Sequence, residues 1–107
     1  MSNNISYYFW LYHKSPYKTA RRFLEKVGVF KDLDIQEDSV SAKVRGRHDW
    51  YTVYLGSDGV YCSCMANRGQ KFVCWHMIAL VLYLYEQLDK QLGLKVFEWI
   101  KKYEKQI

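Results

Sequence analysis

The sequence predicts an α+β fold: a small antiparallel meander of three strands that delivers the chain to a long buried helix, with one helix before the meander and one after it. Three observations carry this expectation. Apolar and polar residues alternate through much of residues 40–64, the period of half-buried strands. Residues 77–85 are continuously apolar, too long for a typical strand yet far short of the ~20 residues that a membrane span needs. Around these, the apolar positions of residues 16–27 and 94–107 recur at helical spacing.

Taken in order, residues 7–12 are a dense aromatic run that fits either a strand or a first helical turn. Core packing is favoured there over base stacking, because the cations that would accompany stacked bases begin only at Lys14. Ser15 and Pro16 form a helix start, with a hydroxyl N-cap and proline at the first helical position. The helix is expected over residues 16–27 and to stop at Gly28. Ala20, Phe23, Leu24 and Val27 would face inward, and Lys18, Arg21, Arg22 and Glu25 outward. Arg21 and Arg22 are candidates for phosphate contact, although a solvated helix face is the simpler reading. Residues 29–38 mix apolar and acidic side chains and should form a short strand or loop ending in an acidic turn. The three strands fall at residues 40–45, 50–55 and 60–64, joined by turns at 46–49 and 56–59. The principal helix runs from Cys74 to about Lys90, apolar almost all round and so buried on several sides. Gly93 interrupts it, and residues 94–107 form the last helix, with Val96, Phe97, Ile100, Tyr103 and Ile107 on one stripe. Trp99 falls off that stripe and is expected at the surface, as a contact site.

The chemistry concentrates between the last strand and the principal helix. All three cysteines lie there, Cys62, Cys64 and Cys74, together with His76. The pattern is C-x-C, a nine-residue loop, then C-x-H. Residues two apart on a strand project from one face, so Cys62 and Cys64 would point the same way. Cys74 and His76 sit at a helix entrance, where the positive end of the helix favours thiolate. Buried structural thiols are the alternative. A disulfide would leave one thiol over, and adjacent same-face cysteines pair poorly. Three thiolates and an imidazole suit a closed tetrahedral zinc site, which would join the last strand to the main helix.

This stretch resembles the SWIM-type zinc finger (CxCx9CxH), a family named for chromatin remodellers, plant transposases of the Mu type and a kinase-like protein. Cys62, Cys64, Cys74 and His76 match its ligands one for one, and Ile78 and Ala79 match the apolar pair that follows the histidine. Trp75 stands where a basic residue often separates the last two ligands, which removes one candidate phosphate contact. The resemblance covers about residues 44–84. It implies zinc binding and contact with DNA or protein partners. Several small members resemble companions of recombinase paralogues, which implies a setting in recombination or transposition.

With 107 residues, half of them apolar and 18% aromatic, the chain is expected to fold as a single domain, residues 1–107, around a finger core at about 44–84. Its first residues carry no basic or apolar signal segment, so an intracellular, reducing compartment is expected, cytoplasm or nucleoid, or a host cell for a viral protein. The net charge of +5 is uneven: residues 31–41 are acidic, and residues 1–30 and 42–76 are basic. Arg45, Arg47, Arg68 and Lys71 are candidate nucleic-acid contacts, with Lys43 on the strand face of Arg45. An enzyme is not expected. A zinc ion with four protein ligands has no open position, and neither His13 nor His48 has a nucleophile placed beside it. The expected function is a small zinc-binding module that binds DNA through a basic patch near the zinc loop. The alternative is an adaptor with a purely structural zinc, joining a protein partner or a second copy through Trp99 or residues 7–12. No membrane association is expected.

Overall fold

A computed structural model describes residues 4–46, 48–64 and 73–104. Two short helices, α1 (Asn4–Tyr12) and α2 (Lys14–Leu24), lead into four strands: β1 (Phe30–Ile35), β2 (Ser39–Arg45), β3 (Trp50–Gly56) and β4 (Gly59–Cys62). Helices α3 (Trp75–Tyr83) and α4 (Lys90–Glu104) follow, joined by a π-helical turn at Leu84–Leu88. The strands form one antiparallel sheet in the order β1-β2-β3-β4. The fold is α+β as the sequence predicts, but the meander has four strands rather than three.

The additional strand, β1, falls within residues 29–38, where the sequence leaves strand and loop both open. It is an edge strand whose residues after Phe30 are all exposed, so its sequence carries no buried alternation. Its register shifts between Lys31 and Asp34, where Asp32 adopts φ 55°. A bulge and charged side chains are common devices that stop an edge strand from pairing with another chain. In β2 the alternation is clean: Val40, Ala42 and Val44 are buried and the residues between them are not. Val44, Val53, Leu55 and Cys62 lie on that same inner face.

Residues 7–12 belong to a helix. Its Ile5 and Phe9 are fully buried, and Phe9 meets Phe97 of α4 edge to face at 5.4 Å. Helical bonds run through the junction with α2, from the His13 N–H to Phe9 O and from the Tyr17 N–H to His13 O. Pro16 has no N–H to donate to the turn before it, and the two helices divide at His13. The second helix therefore starts earlier than Ser15-Pro16 suggests, and it also ends earlier, at Leu24. Val27, expected on the inner stripe, lies beyond that end and is 97% exposed. Gly28 takes the left-handed conformation (φ 70°) that turns the chain so that Val29 enters the core.

Every residue of α3 from His76 to Leu82 is buried, so this helix is the centre of the core, as expected. The break that follows comes at Asp89 and not at Gly93. The Asp89 N–H closes the π-helical turn on Leu84 O, and its Oδ1 accepts from the N–H groups of Gln91 and Leu92, capping α4. Gly93 lies inside α4, buried against the backbone of Tyr85. Val96, Phe97 and Ile100 form the buried stripe of α4, and Trp99 packs half-buried at its margin with Lys95 over its ring, not out at the surface as expected. The far ends are tied together by polar contacts. The Tyr8 hydroxyl donates to Glu104 Oε1 at 2.6 Å, and His13 pairs with the other carboxylate oxygen. The Tyr103 hydroxyl and Lys95 Nζ donate to the carbonyls of Ser57 and Glu37, holding α4 to the sheet turns. No helix among the described residues is long and apolar enough to cross a membrane.

Candidate metal centre

Strand β4 ends at Cys62, whose side chain faces the core opposite Val53. The pairing continues one residue further through Ser63. Its N–H donates to Thr52 O, and its Oγ accepts the Thr52 N–H, both at 3.0 Å. That bracket keeps the chain extended and returns Cys64 to the face of Cys62, where both are buried. Cys74 is the N-cap of α3 in an extended conformation (φ −102°, ψ 169°), and its carbonyl accepts from the Ile78 N–H. His76 lies in the first turn of α3. Cys74 Sγ and His76 Nδ1 are 3.7 Å apart.

The four ligand atoms of Cys62, Cys64, Cys74 and His76 all lie within 4.8 Å of one another. A zinc tetrahedron with bonds of ~2.3 Å to sulfur and ~2.0 Å to nitrogen has edges of roughly 3.6–3.8 Å. The cluster thus needs only a small contraction to close on an ion. All four side chains are buried. Burial holds the His76 pKa below its ordinary value against an opposing hydrogen bond with Cys64, which leaves the imidazole neutral, the form that binds metal. The Cys74 thiol is pushed up to about 12, first by its hydrogen bond with Cys62 and further by burial, with the hydrogen bond to Cys64 acting against the rise. A bound cation would draw the proton from this thiol.

The ring of His76 is held by aromatics. Trp75 stacks on it at 4.0 Å, and Tyr51 of β3 lies at 4.9 Å. Trp75 is itself fixed by the Phe23 ring of α2, edge to face at 4.6 Å. The position that lacks a basic residue therefore serves packing, joining the first turn of α3 to α2.

The sequence comparison agrees with this geometry: residues 51–85 match the SWIM zinc finger family. This segment is similar to the SWIM zinc finger. Among curated proteins and among solved structures nothing matches the chain. The SWIM finger is a zinc-binding module, and Cys62, Cys64, Cys74 and His76 are the residues that could hold the ion.

The basic candidates fare differently. Arg45 is exposed at the end of β2, with its N–H bonded to Val29 O. Arg47, Arg68 and Lys71 lie outside the described residues. Arg21, weighed as a phosphate contact, is taken by Glu86, which accepts two bonds from it at 2.8 and 2.5 Å, with further bonds to Ser6 and Tyr17. Arg22 is free of that network. Together with Lys26, in the turn after α2, and Arg45, it lines a groove of about 670 Å³ that Trp75 also borders. Among the described residues, no acidic side chain lines this groove. Its cations come from segments about twenty residues apart in sequence, so only their shared positive charge hinted at the site.

Proposed function

We propose that this SWIM protein is a non-catalytic DNA-binding module whose fold is fixed by zinc on Cys62, Cys64, Cys74 and His76. The observation that carries the reading is the groove beside the finger, where Arg22, Lys26 and Arg45 converge with no acid among the described lining residues. Three cations at one concave surface suit the phosphate backbone, which supplies much of the affinity of such proteins. Arg47, Arg68 and Lys71 belong to the same proposal on their charge and sequence position. A zinc with four protein ligands has no position for water or substrate, which supports a structural rather than a catalytic metal. The expected setting is DNA recombination or transposition, as the family resemblance implies.

The test is fluorescence anisotropy of labelled DNA against the zinc-loaded protein over a range of salt. Affinity should fall with a log–log slope between about −2, for three phosphate contacts, and about −5, for six. Arg45→Ala should make the slope shallower by about 1. Absence of binding at low salt would overturn the reading.

One observation favours a second reading, an adaptor that joins a protein partner or a second copy. Tyr7, Trp10 and Leu11 are exposed at helical spacing on α1, making an apolar face. Association through that face would persist at high salt, which separates the two readings in the same experiment.

A further inference from the structure

The helices cover one face of the sheet and leave the other open. On the inner face lie Val40, Ala42, Val44, Val53, Leu55 and Cys62, all buried. The register puts a different set on the opposite face. Arg45 pairs with Trp50, Lys43 with Thr52 and Lys31, and Tyr54 with Tyr61. None of these outer residues is buried, and Tyr61 is 52% exposed.

The charge on this face is unusual for an inert surface. Lys31 and Lys43 stand directly opposite each other, an arrangement of like charges that weakens strand pairing. Neither they nor Arg45 has an ion-pair partner among the described residues. Lys31 instead rests over the Trp50 ring at 4.3 Å. Asp32 follows Lys31 in the bulge, and Asp49 precedes Trp50, whose N–H its Oδ1 accepts at 2.7 Å, but neither is paired with these cations. Two further acids stand at the other end of the face. Asp34 pairs with Ser41, and Asp58 accepts a hydrogen bond from the Tyr54 hydroxyl at 2.9 Å. The face thus offers rings along β3 and β4 and an unneutralised row of cations across one end.

We propose that this open sheet face binds single-stranded DNA, with bases against Trp50, Tyr54 and Tyr61 and phosphates on Lys31, Lys43 and Arg45. The proposal rests on the DNA-binding reading above and shares only Arg45 with the groove. Every base has an apolar π-face, and a flat sheet carrying aromatic rings between cations accepts unstacked bases without reading their order. In a duplex those base faces are already stacked inside the helix, and only their edges reach a protein. The rings therefore contribute to single-strand binding alone, whereas the cations serve both forms.

The experiment compares an oligothymidylate of about twelve nucleotides, within the usual single-strand site sizes, with a duplex of the same length. Zinc-loaded full chain is titrated into each at one low salt concentration. The single strand should bind more tightly. Tyr61→Ala, on an exposed edge-strand side chain, should weaken single-strand binding about 5- to 150-fold and leave duplex binding within about two-fold. A measurement independent of any variant's folding is the indole N–H resonance of Trp50, identified with Trp50→Phe, which should shift on adding the oligothymidylate. Equal binding of the two forms, with no effect of Tyr61→Ala and an unmoved Trp50 resonance, overturns this inference and leaves the groove reading standing. Binding of neither form overturns both.

Discussion

Replacing Gly93 by alanine sets helix propensity against packing, and the structure says which wins. Gly93 is inside α4, where alanine is preferred over glycine by about 1 kcal/mol. From propensity alone, Gly93→Ala should stabilise the protein. In the structure a Cβ at this position would lie 2.5 Å from the Cα of Tyr85 and 2.7 Å from its backbone nitrogen. Carbon atoms in contact prefer ~3.5–4.0 Å, so α4 and the π-helical turn would have to separate by roughly 1 Å. The obstacle is backbone, which cannot rotate aside as a side chain would. Overpacking of this kind costs about 1–3 kcal/mol, and the propensity gain recovers about 1. A clash with backbone belongs in the upper part of that range, about 2–3 kcal/mol, so the net expectation is a loss of about 1–2 kcal/mol, seen as a fall in Tm of about 4–15 °C for a domain of this size. The assay is thermal unfolding of the zinc-loaded protein followed by circular dichroism. A Tm equal to or above that of the wild type would refute the argument and show that the α3–α4 hairpin is not closed on Gly93.

Further predictions follow from the metal centre and the polar ties. Stripping the metal with a chelator, or making Cys64→Ser, should abolish cooperative unfolding, because structural zinc binding of about 10–16 kcal/mol exceeds the net stability of a small domain; a sharp unfolding transition in the metal-free protein would contradict this. Ser63→Ala removes the side-chain half of the bracket that aligns Cys64, and zinc affinity in a competition assay with a chromophoric chelator should fall about ten-fold, with unchanged affinity counting against the bracket. Burial alone would raise the pKa of Glu104, but the hydrogen bonds from His13 and Tyr8 outweigh it, and the group titrates below the usual carboxylate range. A depressed folded-state pKa gives stability that is present above the unfolded value of about 4.3 and lost as pH falls through the folded value. Glu104→Gln should therefore lower the urea midpoint at pH 7, and the gap to wild type should close below about pH 4; a gap that is constant with pH would show that the carboxylate charge contributes nothing.

Much of this molecule was legible before any coordinates. The ligand set was readable because its signal is local: Cys62 and Cys64 are two residues apart on a strand, and Cys74 and His76 are two apart at a helix start. The core strand β2 and the buried helix α3 were readable because their periods repeat over several residues, and burial selects apolar side chains at every inner position. Where burial did not select, the sequence was silent. Strand β1 exposes nearly all its side chains, so the composition of residues 29–38 left strand and loop undivided and did not add it to the meander. Glycine at position 93 reads locally as a helix breaker, yet the close approach of Tyr85 keeps it in a helix, and the shift of the break to Asp89 follows from a cap whose competitor was not visible in one dimension. Charge was the least legible of all. Arg21 and Arg22 are neighbours with the same chemistry, but Glu86, sixty-five residues beyond Arg21, pairs with it, while Arg22 meets Lys26 and Arg45 at a groove. The α+β class, the grouping of Cys62, Cys64, Cys74 and His76 and the inner faces follow from the chain alone, because local spacing and hydrophobic period act within a few residues. Which cations are neutralised, which converge and which sheet face the helices leave open emerge only on folding, because those outcomes depend on partners far apart in the chain.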